Sequence, residues 1–340
     1  MTALTMPARP EQDASLRPLP WRRMAWVTWR QHRIALAGVA ALLGGLTVYL
    51  GVTGLQIHHA YAASCHPASS LACTLNFTGR YAVTVNIVRV FLQVVPALIG
   101  AFAGAPVLAR EMETGTFRFA WTQGFGRGRW ALAKLVLLAV VVAAAAGAFT
   151  VLFSWYASPF FAAGYAIPFA TDLFDSLGVA FAAWTLAAFA IGALAGMLIR
   201  RVVPAIAATL AVYAALAFAT ALWLRERYMT PLLTSKSNLP STAWLVNQWY
   251  DKGGRFAFPA QGSQLVGAVS RLCPAPRVNS NGVSVVSPAQ CLAQHGYTLW
   301  TSYQPGSRFW PFQWIEGGWL LALSVLLIAA TVWLVRRRAA

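Results

Sequence analysis

Leu108–Leu135 reads L-A-R-E-M-E-T-G-T-F-R-F-A-W-T-Q-G-F-G-R-G-R-W-A-L-A-K-L, a charged island between two long apolar runs. It holds two of the chain's nine acidic residues, Glu111 and Glu113, together with five bases, Arg110, Arg118, Arg127, Arg129 and Lys134. Charge in an otherwise apolar chain belongs where water or a partner protein can meet it. The stretch is therefore read as a loop outside lipid, and the runs on either side of it as segments inside.

The composition agrees. Of 340 residues, 58% are hydrophobic and only 10% charged, with a mean hydropathy of +0.58; in a soluble domain about a quarter of residues are charged. The apolar residues gather into six runs: Ile34–Leu55, Val83–Leu108, Trp130–Phe153, Leu173–Ile199, Val202–Leu224 and Ile315–Val335. Roughly 20 helical residues cross a hydrocarbon core of ~30 Å. Backbone polar groups in lipid must be satisfied within the segment, which leaves helices. The predicted fold class is an all-α polytopic membrane protein with six transmembrane helices. The first run is too long for the apolar core of a signal peptide, so Ala60-Tyr61-Ala62 is not read as a cleavage site.

A net charge of +17 invites a nucleic-acid reading, but the distribution of the charge argues against it. With loops assigned alternately, 16 of the 26 basic residues fall on one side, in tight groups at span ends: Arg22, Arg23, Arg30 and Arg33, the loop bases above, Arg200-Arg201 and Arg336 to Arg338 among them. This is the positive-inside pattern, and it places both termini in the cytoplasm. Interspersed spans leave no extended basic face for nucleic acid; membrane lipids are the expected contact. Cys65 and Cys73 fall in the first outer loop and Cys273 and Cys291 in the last, as suits disulfides on an oxidising side. Four cysteines allow three pairings; local loop closure favours Cys65–Cys73 and Cys273–Cys291.

Residues 1–19 are polar and proline-containing and are predicted to be a flexible cytoplasmic start. Residues 20–33 place Arg22, Arg23, Arg30 and Arg33 in one sector of a helix and Trp21, Met24, Ala25, Thr28 and Trp29 in the other, as suits an elbow helix lying in the inner interface. A plain basic flank with interfacial tryptophans is the alternative. Spans 1–5 occupy 34–224, with a cytoplasmic coupling loop at 109–129. Arg200-Arg201 alone joins spans 4 and 5, predicting a tight hairpin, and Gly192 and Gly196 form a G-x-x-x-G that permits close packing. Residues 225–313, with Gly, Pro, Ser and Asn throughout, read as a disulfide-containing extracellular loop domain. An aromatic interface belt leads into span 6 and a basic tail, 314–340.

Several residues could carry chemistry. Asn86, Arg89 and Gln93 share a face of span 2, where they either line the outer end of a pathway or bond to neighbouring helices. Asp172 and Asp175 stand at the start of span 4 and Glu316 at the start of span 6, where a helix N-terminus favours negative charge. H-E-x-x-H and C-x-x-C are both absent, so His58, His59 and His66 read as solvated histidines near a disulfide and no metal site is expected. A membrane enzyme built on His58, His59, His66, Asp172 and Asp175 is the rival from another class. Lys134, Lys236 and Lys252 follow Ala133, Ser235 and Asp251, so no Gly-Lys-Ser/Thr phosphate loop exists. No carboxylate is read deep inside a span. Energy must then come from another chain, and no cofactor or catalytic constellation is expected in this one.

Glu111 and Glu113 follow span 2 at its partially negative end, where acids cost about 0.3–1 kcal/mol. Arg110, Arg118, Arg127 or Arg129 could compensate them, or a basic groove on a partner. Thr114-Gly115-Thr116 redirects the chain, after which Phe117, Phe119 and Trp121 with Arg118 offer the aromatic and arginine anchors common in binding hot spots. A solvated loop touching lipid headgroups is the other reading.

Four elements in order carry a family likeness: W-R-Q-H-R at 29–33, A-R-E-M-E-T-G-T-x-R-x-A-W-T-Q at 109–123, G-A-L-A-G-M-L-I-R-R-V-V-P-A-I-A-A-T-L at 192–210, and Y-Q-P-G-S-R-F-W-P-F-Q-W-I-E at 303–316. They resemble the actinobacterial branch of type-2 ABC transporter permeases. The likeness covers nearly the whole chain apart from its start and the middle of the large outer loop. It implies six helices per subunit, a pore of two subunits (expected as a homodimer), and an ABC ATPase beneath each. ATP and magnesium would belong to those two partners. It also implies an elbow at Trp21–Arg33 and a coupling helix within Thr114–Trp121, with Glu111 and Glu113 at its approach and Thr114, Gly115, Thr116, Phe117, Arg118 and Trp121 on it. The implied function is the permease of an exporter in the bacterial cell membrane, moving an amphipathic or lipid-like drug, peptide or lipid. A sensor or immunity component that binds an extracellular peptide through 225–313, and signals through the ATPase without transport, is the alternative.

Overall fold

A computed structural model describes residues 21–65, 73–115, 127–236, 238–273 and 287–338. Five of its helices are long and apolar enough to cross a membrane: Leu75–Thr114, Gly128–Ala162, Gly178–Ile199, Val202–Arg227 and Gly306–Arg337. They are preceded by α1 (Trp21–Ser64), one uninterrupted helix of 44 residues. The expected separation of an elbow at 20–33 from a first span is therefore not a break in the helix. Nothing between Arg30 and Leu36 is a glycine or proline that would interrupt it. The side chains of 21–33 lie outside the described residues.

The second span contains its own discontinuity. Helix α2 (Gly79–Ile99) passes into a π-helical segment, Gly100–Gly104, and then α3 (Pro106–Thr114). Pro106 cannot donate to the carbonyl four residues back, and the ladder shifts around it, with Ala105 N donating to Gly100 O at 3.0 Å. Helix α4 (Arg127–Ala162) also runs further than the predicted Trp130–Phe153, straight through Pro159. Proline leaves the Trp155 carbonyl without its helical donor. Ser158 Oγ donates to that oxygen at 2.8 Å and His58 Nε2 lies 3.0 Å from it, so the continuation is satisfied from the side.

Helix α5 (Gly178–Ile199) forms the centre of the bundle, buried along most of its length. It crosses the π segment at backbone contact. A Cβ on Gly192 would lie 2.3 Å from Gly100 O, one on Gly196 2.4 Å from Ala105 O, and one on Gly104 2.6 Å from Phe189 O. Small residues on both partners make that approach possible. After Arg200-Arg201 the chain returns as α6 (Val202–Ala219), the tight hairpin expected. Arg200 is left-handed at φ 61°, and its N–H closes on Gly196 O at 3.1 Å. The cation sits where the helix C-terminus favours positive charge.

The chain is not all-α. The segment after α6 folds into a four-stranded antiparallel sheet in the order β1-β4-β2-β3. The strands are β1 (Leu232–Thr234), β2 (Trp244–Lys252), β3 (Arg255–Pro259) and β4 (Tyr297–Gln304). Gly253 and Gly254, both at positive φ (61° and 82°), make the two-residue turn between β2 and β3 that a hairpin of this hand requires. Two short helices, α7 (Ser263–Leu272) and α8 (Pro288–Gln294), cover the sheet, and Ser287 and Gln290 form a capping box on α8.

The last helix, α9 (Phe309–Arg338), begins before the predicted span. Its aromatic entry is divided between two environments. Trp310 and Trp314 are exposed, while Phe312 is fully buried. Phe169 stacks on Trp244 of β2 (5.9 Å between centroids) and meets Phe312 edge-on at 5.3 Å, so part of the predicted interface belt is the core that joins sheet to bundle.

Candidate functional site

The stem of the 108–135 stretch is formed by α3 and the start of α4. Glu111 is turned inward: its Oε1 lies 2.6 Å from Lys134 Nζ, and Lys134 is 1% exposed. Lys134 also donates to Val107 O at 3.2 Å and lies 5.3 Å from the centre of the Trp130 ring. Among the described residues the acid is compensated by a lysine of the next span. Exposed Glu113 accepts from Val202 N at 3.2 Å, capping α6 from 89 residues away. Thr114 Oγ1 donates to Arg110 O at 2.8 Å, and Gly115 ends α3 at φ 70°. Thr116, Phe117, Arg118, Phe119 and Trp121 lie outside the described residues.

Other charges collect at this end. Arg336 lies over Gly128, where a Cβ would come within 2.7 Å of the arginine's aliphatic stem. Arg110, Arg200, Arg201, Arg336 and Arg337 are exposed. These five described arginines share the end of the bundle where α3 and α5 finish.

The pathway candidates stand on the outward side of α2. Asn86 and Gln93 are exposed and Arg89 is half-buried, beside exposed Val83, Ile87, Val90 and Val94. Arg89 Nη1 donates to Asn86 Oδ1 at 3.1 Å.

A buried charge cluster near the sheet was not foreseen. Arg225, near the end of the candidate span Val202–Arg227, is 0% exposed and makes a two-pronged contact with Glu316: Nε to Oε2 at 3.0 Å and Nη2 to Oε1 at 2.8 Å. The same Nη2 donates to Asp175, and the guanidinium lies 4.4 Å from the centre of the Phe174 ring. Trp184 Nε1 of α5 donates to Glu316 Oε1 at 2.9 Å. Glu316 is thus a fully buried acid inside a span, contrary to the expectation that none lies there and that it caps a helix start. It lies beyond the first turn because α9 begins at Phe309.

Asp175 does not cap α5 either. Gln313 of α9 does so, accepting from Ala180 N at 2.8 Å while donating to Phe174 O at 3.0 Å. Asp175 lies between spans; burial pushes its carboxyl up to about 8, Arg225 opposes that rise and Glu316 adds to it. The side chain of Asp172 lies outside the described residues.

The cysteines pair locally, Cys65 with Cys73 and Cys273 with Cys291. Cys273, Cys291 and His295 place ligand-type atoms within 4.8 Å of one another, but both sulfurs are in the disulfide and are not thiolates free for a metal. His58 stacks on Trp155 with centroids 4.6 Å apart, bonded to its carbonyl. His58 and Asp175 thus have different partners, and His66 lies outside the described residues.

A multi-pass helical membrane protein, with a disulfide-braced sheet set among its spans, is the class this architecture defines. The family model for ABC-2 membrane transporter related proteins matches residues 38–225, more than half of the chain, and the chain belongs to that family. It is an ABC-2 type permease component, which implies partnership with an ABC ATPase. No curated protein and no solved structure matches it.

Proposed function

We propose that the chain is the permease of an ATP-driven exporter for an amphipathic or lipid-like drug, peptide or lipid in a bacterial cell membrane. The observation that supports this best is the stem: α3 ends at Thr114 and α4 begins at Arg127 beside exposed Arg110, Arg200 and Arg336, in a chain whose family works with an ATPase. In this reading α1 supplies a sixth span and, at its start, the interfacial elbow. Both termini are cytoplasmic. Thr116, Phe117, Arg118 and Trp121 dock on the ATPase, with Thr114 and Gly115 turning the chain into the coupling helix.

A second copy of the chain covers the outward face of α2, since Asn86, Arg89 and Gln93 are poorly suited to lipid. Two ATPases bind ATP and magnesium; this chain contributes no catalytic group. Their closure on ATP moves the coupling helix, and α2 and α6 re-pack to alternate access. Trp121→Ala and Phe117→Ala are expected to weaken co-purification with the ATPase at least about tenfold, as loss of an aromatic anchor does. Unchanged co-purification and unchanged ATP-dependent uptake of a fluorescent lipid into inverted vesicles would count against the reading.

One observation favours a sensor instead. The sheet unit carries exposed Leu233, Phe256 and Val266, apolar groups available to a peptide. That reading predicts peptide-stimulated ATP hydrolysis with no cargo moved.

A further inference from the structure

Glu111 and Lys134 lie at the two sides of one neck. Glu111 is on the last helix before the 116–126 segment and Lys134 on the first helix after it, and their 2.6 Å contact is almost closed to solvent, with side-chain exposures of 10% and 1%. Lys134 also holds Val107 O at 3.2 Å, so a single ammonium grips α3 at two points one turn apart. Among the described residues Glu111 Oε2 has no hydrogen-bond partner, so the lysine is the only group that holds this carboxylate. Upstream, α3 begins at the π segment Gly100–Gly104 between Pro96 and Pro106, where the hydrogen-bond ladder is already shifted. Such π segments recur at functional sites. A short helix thus follows a shifted hydrogen-bond ladder at one end and precedes the 116–126 segment at the other, and its buried ion pair ties it to α4.

We propose that the Glu111–Lys134 pair is a mechanical clamp of the loop's neck: Glu111 and Lys134 are positioning residues that make α3 and α4 move together when the loop is displaced, and they do not contact the ATPase. The inference rests on the permease reading for its consequence, though the clamp itself is a property of this chain. Without the pair, displacement of the loop would separate the two stems, and less of it would reach the spans. Glu113 supports the same picture from the other side, since its contact with Val202 N brings the start of α6 to the tip of α3.

Removing one partner alone leaves a buried charge and risks the fold, whereas replacing both with neutral groups is often neutral for stability. The decisive variant is therefore the double substitution Glu111→Gln with Lys134→Met, compared with the swap Glu111→Lys with Lys134→Glu. Reconstituted with its ATPase, the double variant is expected to co-purify and hydrolyse ATP as wild type does but to move about tenfold less cargo per ATP; the swap restores part of the transport. Normal transport by the double variant overturns the proposal, as does loss of ATPase binding with an unchanged thermal midpoint.

A second measurement needs no ATPase. Spin labels at Arg110→Cys and Leu132→Cys, positions exposed on the two stems, should give one narrow distance in wild type and a broadened one in the double variant. Equal distributions overturn the clamp. A wild-type chain that binds no ATPase would instead sink the permease reading, leaving the distance measurement to decide on the clamp.

Discussion

Arg225 faces two carboxylates, fully buried Glu316 and Asp175, whose side chain keeps 26% of its surface exposed. Two acids and one guanidinium leave a net negative charge unless one acid holds a proton, and Asp175 is the one displaced upward, from 3.8 to about 8. Burial is the main cause, Arg225 opposes it and Glu316 reinforces it. An acid whose folded value is raised favours the protonated fold. Its contribution is full below the unfolded value of 3.8 and is lost as pH rises through about 8. The thermal midpoint of the purified chain should therefore fall as pH rises from about 4 to about 8, and Asp175→Asn should flatten that slope; an equal slope in both proteins would contradict the assignment. Glu316→Gln deprives Arg225 of its two-pronged partner and should cost about 3–5 kcal/mol, read as a lower unfolding midpoint.

The sequence showed these acids but not their partner. Asp175 and Arg225 are 50 residues apart, and Glu316 and Arg225 91. A local reading assigns an acid near a helix start to the helix dipole, and only packing reveals a guanidinium beside it. The same holds for Glu111, for which nearby arginines were the sequence candidates and Lys134 the actual partner.

Among the helices, the crossing of α5 over the π segment depends on glycine at both sides. A methyl group on Gly192 would enter Gly100 O at 2.3 Å, a backbone atom with no rotamer to move aside, while one on Gly147 of α4 meets nothing within 4 Å. Gly192→Ala should therefore cost about 1–3 kcal/mol through overpacking, whereas Gly147→Ala should be neutral or slightly stabilising. Thermal unfolding in detergent separates them; equal midpoints would mean that the crossing tolerates separation. Gly192-x-x-x-Gly196 was visible in the sequence, and so was Gly100-x-x-x-Gly104. That the two motifs meet each other was not, because the pattern names a surface that permits close approach without naming its partner.

For the whole molecule, the sheet unit and the bundle meet through Phe169, Trp244 and Phe312, and the sheet has a small core of its own around Tyr250, Phe258 and Leu292. The Cys273–Cys291 disulfide, 18 residues apart, ties α7 to α8 beside that core. Replacing both cysteines with serine should destabilise this unit by about 3 kcal/mol and leave the bundle folded. Limited proteolysis would then cut between 225 and 313 faster than in wild type, with the helical circular dichroism unchanged; simultaneous loss of both would mean that the units unfold as one. The sheet itself was not read from the sequence, because the many Gly, Pro, Ser and Asn residues of 225–313 pointed to a loop; Gly253-Gly254 between two aromatic-rich stretches is the hairpin signal that marks it.

Hydropathy and charge by themselves determined that the chain is a helical membrane protein, where its apolar segments run, and which ends gather the cations. Those properties depend on each residue's own transfer from water to lipid, and they accumulate along a segment whatever its neighbours are. The tertiary structure alone decided which charges are neutralised by which, that α3 is held to α4 and α6, and that four strands stand among the helices. Each of these depends on groups far apart in sequence meeting at distances of a few ångströms, where desolvation makes an ion pair or a glycine contact decisive.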